Sequence, residues 1–153
     1  MEPFETAAAG LFDLSYRVAY RLTGDRQEAA DIAQEALARA LVRWSKVHAY
    51  AEAWVARTST NLALDLHRRR RPQRLALPAA SGPQPDGDRL DLVTALRRLP
   101  RRQREAVVLR YLADLDEPSV AAAMGCSPGT VKQHLHRAMA ALRTDPLLSK
   151  PGA

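Results

Sequence analysis

The sequence predicts an all-α protein: two small helical bundles joined by a flexible linker, the second containing a helix-turn-helix. Three observations carry this. Apolar residues recur at steps of three and four along most of the chain, and no alternating strand pattern occurs. Residues 72–90 break that periodicity and hold four of the ten prolines and two glycines, a composition that reads as a flexible linker. The 153 residues suffice for one ordinary domain or two small ones, and either half alone buries only a modest core. The expected division is 1–72, a linker over 73–90, 91–145, and a short tail over 146–153.

The first helix is expected from Phe4, Ala8, Leu11, Ser15, Val18 and Leu22, which share one stripe, with Thr23-Gly24 stopping it. Asp25 then reads as an N-cap with Glu28 three residues on, a capping-box arrangement. Ile32, Ala36, Leu37, Ala40, Leu41 and Trp44 form the apolar face of the second helix. A short connection, Ser45 to Ala49, leads to a third with Ala51, Val55, Thr58, Leu62 and Leu66 inward. It runs into Arg68-Arg69-Arg70-Arg71, and Pro72 is expected to close it. Beyond the linker, Leu92, Ala95, Leu96 and Leu99 predict a short helix stopped at Pro100. Ala106, Val107, Leu109, Tyr111 and Leu112 predict another.

The segment from Glu117 to Arg143 reads as the helix-turn-helix. Val120, Ala121 and Met124 face inward on a short helix whose first turn tolerates Pro118. Gly125 supplies the left-handed residue at its end. Ser127 caps the next helix, Pro128 occupies its first position, and Cys126 can pack on Val131. Val131, Leu135, Ala138 and Leu142 then point to one side. Lys132, Gln133, His136 and Arg137 fall on the other, with residue types suited to phosphates and base edges. A solvated helical hairpin is the plain alternative; cap, turn glycine and inward stripe together favour a DNA-binding pair.

Charge agrees with an anionic partner. The net charge is +6 and the pI about 10.1, yet residues 1–67 carry seven Lys/Arg against nine Asp/Glu. The excess sits at Arg68–Arg71 and between Arg97 and Arg110, where six arginines face one glutamate. The single cysteine, Cys126, allows neither an internal disulfide nor a cysteine zinc site, so a reducing cytosol is expected. The N-terminus lacks the features of a signal peptide, and no apolar run is long enough to span a bilayer. A cytoplasmic protein without membrane insertion is the expectation. Enzymatic chemistry is not expected: His48, His67, His134 and His136 are scattered, and no Gly-rich phosphate loop or nucleophile-base pair occurs. No metal site or cofactor is expected either.

The segment Met124-Gly125-Cys126-Ser127-Pro128-Gly129-Thr130-Val131-Lys132, continuing through Leu135-His136-Arg137-Ala138, resembles region 4 of bacterial extracytoplasmic-function (ECF) sigma factors. Leu22-Thr23-Gly24-Asp25, Asp31-Ile32-Ala33-Gln34-Glu35, and the stretch from Trp54 through Asn61 to Asp65 and Arg68-Arg69-Arg70 resemble region 2. The resemblance spans residues 4–143, and the two blocks in this order are more specific than either alone. It implies two bundles that dock on core RNA polymerase, at its clamp and its flap, and bind promoter DNA. Region 2 would open the −10 element and region 4 would read the −35 element. The implied −10 contacts are Arg57, Asn61, Arg68, Arg69 and Arg70, with Ser45, Lys46, Val47 and His48 lining a pocket for a flipped base. The implied −35 contacts are Lys132, Gln133, His136 and Arg137. Asp31, Gln34, Glu35 and Arg39 would dock the polymerase, although without the resemblance Glu28, Asp31 and Glu35 read as a solvated acidic stripe. Trp44 and Trp54 are better read as core than as stacking platforms. An anti-sigma factor is the further partner that the family suggests, although no segment identifies its binding site. His134 and Met139 stand where arginine is frequent in the family, and Pro118 replaces a commoner polar residue, so the −35 preference stays open.

Two other readings compete. A LuxR-type helix-turn-helix regulator shares the C-terminal pattern, but the N-terminal block lacks the strand-helix alternation of a receiver domain. A helical protein-interaction adaptor would leave both arginine clusters idle.

Overall fold

The computed structural model describes residues 1–76, 87–146 and 148, and all regular structure among them is helical. The N-terminal cluster comprises α1 (Phe4–Thr23), α2 (Arg26–Val42), a short α3 (Trp44–Val47), a 3-10 turn (His48–Tyr50) and α4 (Ala51–Ala76). The C-terminal cluster comprises α5 (Gly87–Arg98), α6 (Arg101–Val107), a π-helical turn (Val108–Leu112), α7 (Glu117–Met124) and α8 (Pro128–Thr144).

Local chemistry sets the boundaries. Gly24 ends α1 with φ of 69°, a left-handed conformation, and donates its N–H to the Tyr20 carbonyl at 2.8 Å. Asp25 caps α2, its carboxylate accepting from the Glu28 N–H at 2.9 Å. The reciprocal partner differs from the expected capping box: the Asp25 N–H goes to the Thr23 hydroxyl oxygen at 3.3 Å. The alanines Ala29, Ala33, Ala36 and Ala40 follow one stripe of α2 with Ile32, and all are buried, which lets neighbouring helices approach closely.

Several expectations are corrected. Leu41 does not face inward; it is 52% exposed, because the buried alanine stripe through Ala40 turns it about 100° away. Tyr111 likewise faces outward. The connection from Ser45 to Ala49 is itself helical, α3 followed by the 3-10 turn. On α4 the most deeply buried residues are Ala53, Val55, Ala56, Ser59, Thr60, Ala63 and Leu64, a wider belt than the predicted stripe. The helix packs on α1 and α2 along one side and on the C-terminal cluster along another, so a single face does not describe it. Nor does Pro72 close α4, which continues to Ala76. Pro72 lies beyond Leu64 and Leu66, the last core residues of the helix among those whose side chains are described, and the backbone bond that proline removes costs least near a helix end. α5 begins at Gly87, inside the expected linker. The middle of that linker, 77–86, and the tail at 147 and 149–153 lie outside the described residues, as do the side chains of residues 70–76, Arg70 among them, and 87–90.

The two clusters pack against each other, and one hydrophobic core runs through both, from Leu11, Val18 and Val55 to Leu96, Leu109 and Val131. Arginines of the N-terminal cluster reach helix ends of the other. Arg17 donates to the Ala113 carbonyl at 3.3 Å, and Arg21 to those of Tyr111 at 3.2 Å and Leu112 at 2.8 Å. These carbonyls close the π-helical turn, where orphan acceptors and the negative end of the helix dipole favour a cation. Arg57 of α4 does the same for α7, donating to the Ala123 carbonyl at 3.3 Å. Its Nε lies 2.6 Å from Oε1 of Glu105, whose side chain is only 8% exposed. Arg102 completes the knot: it pairs with Glu105 at 3.3 Å and donates to the Met124 carbonyl.

Candidate nucleic-acid interface

The helix-turn-helix is built from its caps outward. Asp116 opens α7, its carboxylate accepting from the Ser119 N–H at 2.8 Å. The side-chain and backbone hydrogen bonds at Ser119, with help from the Arg110 charge, hold the Asp116 carboxyl below the ordinary carboxylate range. Gly125 ends α7 with φ of 67°, and the Cys126 N–H reaches back to the Ala121 carbonyl at 3.1 Å, a Schellman closure. Ser127 then caps α8, its hydroxyl accepting from the Thr130 N–H at 3.1 Å, with Pro128 in the first turn. The turn is thus closed at both ends by named bonds, which sets the angle between the helices.

Val131, Leu135 and Ala138 are buried under α8, with Leu142 packed beside them. Lys132, Gln133, His136 and Arg137 are all exposed on its opposite side. Lys132 leans toward Glu117 of α7 at 3.8 Å, a solvated contact that holds it weakly. The other three have no side-chain partner among the described residues. His134, one of the residues that departs from the family pattern, is half-buried beside this face.

In the N-terminal cluster, Ser45 and Lys46 are exposed on α3 and His48 is half-buried in the turn after it. Val47 is a correction: it is 3% exposed, so its side chain anchors the turn in the core instead of lining a pocket. Trp44 packs edge-on against Phe4, ring centroids 5.4 Å apart, and donates its indole N–H to the Glu2 carbonyl at 2.8 Å. Trp54 is also packed on the core. His48 and Tyr50 line a cleft of about 490 Å³, walled by α1, the start of α4 and α7. Farther along α4, Asn61, Arg68 and Arg69 are exposed. Arg57 is not, being committed to Glu105 and to the end of α7.

On α2, Asp31, Gln34, Glu35 and Arg39 are all exposed. Gln27 donates to Asp31 at 2.9 Å, and Arg39 pairs with Glu35 one turn away at 2.9 Å. Beside them stand Leu41 and Val42, the latter 84% exposed. The sequence reading missed this apolar edge, although the alanine spacing contains it: if Ala36 and Ala40 point inward, 41 and 42 cannot. Among the described residues no group of His, Cys, Asp and Glu is arranged to hold a metal ion.

Two helical clusters, the second ending in a capped helix-turn-helix with an exposed cationic face on α8, define a helix-turn-helix protein. Comparison with known proteins agrees. Residues 11–73 match the family model for sigma-70 region 2, and residues 89–142 that for sigma-70 region 4. The RNA polymerase sigma-E factor of Streptomyces coelicolor is 35% identical, the match covering 87% of this chain and 80% of that protein. The ECF RNA polymerase sigma factor SigE of Mycolicibacterium smegmatis is 38% identical over 86% of this chain but only 56% of its own length. The ECF RNA polymerase sigma factor SigL of Mycobacterium tuberculosis is 31% identical, covering 84% and 80%. Among solved structures, the sigma factor RpoE of Bartonella quintana, crystallised with the anti-sigma factor NepR, has the same fold. Its TM-score is 0.56 at 23% identity, covering 97% of this chain and 98% of that one.

The chain belongs to the sigma-70 family, in its ECF group of RNA polymerase sigma factors. It is a promoter-specificity factor, which acts by binding core RNA polymerase and directing where transcription starts. The LuxR-type reading fails because residues 11–73 match sigma region 2.

Proposed function

We propose that the residues divide this task as follows. α8 reads the −35 element through Lys132, Gln133, His136 and Arg137. Asn61, Arg68, Arg69 and Arg70 of α4, with Ser45, Lys46 and His48 before it, engage and open the −10 element, and Arg57 joins them once released from Glu105. Asp31, Gln34, Glu35 and Arg39, extended by Leu41 and Val42, dock on the polymerase. The chain does no chemistry of its own and works in the cytoplasm, and an anti-sigma factor is a further partner, as for the Bartonella relative. The observation that carries this reading is the sidedness of α8: every apolar residue of its stripe packs inward while four DNA-competent side chains project together.

Elements centred near −10 and −35 lie about 25 base pairs apart, roughly 85 Å at 3.4 Å per pair. A compact chain of this length has a radius of gyration of about 15 Å. The packed arrangement therefore cannot hold both elements, and the clusters must separate on the polymerase, which then supplies the spacing.

Run-off transcription from genomic promoters, with core polymerase and with or without this chain, tests the reading. Promoter-specific transcripts should appear only with the chain. Strong duplex binding with no detectable binding to core polymerase would refute it. Asn61→Ala and Lys46→Ala should abolish strand opening while leaving polymerase association intact. Arg137→Ala should weaken upstream-element recognition by about 1–3 kcal/mol, the worth of a good bidentate base contact.

A further inference from the structure

The junction between the clusters holds a cleft whose α4 wall shares Asn61 and Arg68 with the proposed −10 contacts, but whose facing arginines, Arg97 and Arg104, have no role in that reading. α4 on one side and α5 and α6 on the other enclose a cleft of about 460 Å³, lined by Asn61, Leu64, Asp65, Arg68, Arg97 and Arg104. A narrow slot continues from it past Arg57 and Arg101 to Glu105. Five arginines thus face two carboxylates. Both carboxylates are already engaged, Asp65 with Arg68 at 3.7 Å and Glu105 with Arg57 and Arg102. Arg97, Arg101 and Arg104 have no ion-pair partner among the described residues.

Like charges gathered in a concave, partly desolvated site repel one another unless an anion is shared between them. The volume falls within the range of about 300–1,000 Å³ typical of small-ligand sites, and is far too small for a double helix. The lining is polar and cationic, with Leu64 as its one apolar wall, which disfavours an uncharged organic ligand. Guanidinium forks and the Asn61 amide are suited to phosphate oxygens, and charges spread over three helices call for several linked phosphates.

We propose that this cleft binds a small polyphosphate anion, either an inorganic chain or the phosphate tail of a nucleotide. Because Arg68 belongs to the N-terminal cluster and Arg97 and Arg104 to the C-terminal one, the bound anion bridges the two and favours the packed arrangement.

The test is calorimetric titration of the full chain with inorganic tripolyphosphate, and separately with ATP, at physiological salt. One saturable site is expected. Arg97→Ala and Arg104→Ala should each weaken it about tenfold; both side chains are unpaired and partly exposed, so neither change threatens the fold. Arg26→Ala, an exposed arginine on α2, should leave it unchanged. Tighter binding of ATP than of tripolyphosphate would identify a nucleotide, and the reverse order a bare polyphosphate. Absence of saturable heat with either probe would overturn the proposal. So would an equal loss in the Arg26 variant, which would mean diffuse charge attraction without a site.

Discussion

Glu105→Gln probes the contact that joins the clusters. The glutamine keeps the shape and a neutral acceptor but removes the charge that holds Arg57 at 2.6 Å and Arg102 at 3.3 Å. Deleting one partner of a fully buried pair costs about 3–5 kcal/mol, because the other charge is left stranded. Here Glu105 is 8% exposed, but Arg57 is 27% and Arg102 44% exposed, so water reaches both guanidiniums once the carboxylate is gone. Arg57 also retains the Ala123 carbonyl. Discounting for that screening leaves about 1–2 kcal/mol, a five- to thirtyfold shift. Arg57 and Glu105 lie on different clusters, so the loss of that pair should fall on their separation, whereas the more exposed Arg102 pair lies within α6 and its smaller share falls on the C-terminal bundle. Single-molecule energy transfer between dyes on Ala38→Cys and Ala140→Cys, in a Cys126→Ala background, counts the separated fraction directly. The expected result is a five- to thirtyfold rise in the ratio of separated to packed molecules, with helix content unchanged. An unchanged ratio accompanied by a lower melting temperature would refute the reasoning and make Glu105 a packing residue of the C-terminal cluster alone.

Other expectations follow from single contacts. Ser127→Ala removes the acceptor for the Thr130 N–H and should cost about 1 kcal/mol in urea unfolding, whereas Ser127→Asp should be nearly neutral. Asp116 has its folded pKa depressed, so its contribution to stability is present above the unfolded value of about 3.9 and is lost as pH falls through the folded one. Asp116→Asn should accordingly flatten the acid limb of a urea-midpoint profile below pH 4, and an unchanged profile would count against the cap. Val42→Asp, at an 84% exposed position, should leave the unfolding free energy within about 0.5 kcal/mol of wild type. It should nevertheless weaken association with core polymerase in a pull-down titration; unimpaired association would remove the apolar edge from the docking face.

The helices, the turn and the exposed face of α8 were legible because each rests on local chemistry. Asp25, Gly24, Gly125 and Ser127 close helix ends within four residues of themselves, and the stripe Val131, Leu135, Ala138 requires only helical spacing. The contacts between the clusters were not legible. Arg17 and Arg21 meet carbonyls more than 90 positions away, and nothing in the periodicity marks them. The belt on α4 was underestimated for the same reason, since its second buried side exists only where the C-terminal cluster lands. Arg57 shows the limit for the site as well: its position on the helix suggests DNA, while its partner here is a glutamate from the other half of the chain.

α4 continues about ten residues past Leu66, some 15 Å at 1.5 Å per residue. Each residue added to or removed from that stretch of helix shifts its end by about 1.5 Å and swings it by about 100° around the helix axis. The helix beyond Leu66 therefore sets both how far and in which direction the backbone has travelled when it leaves α4.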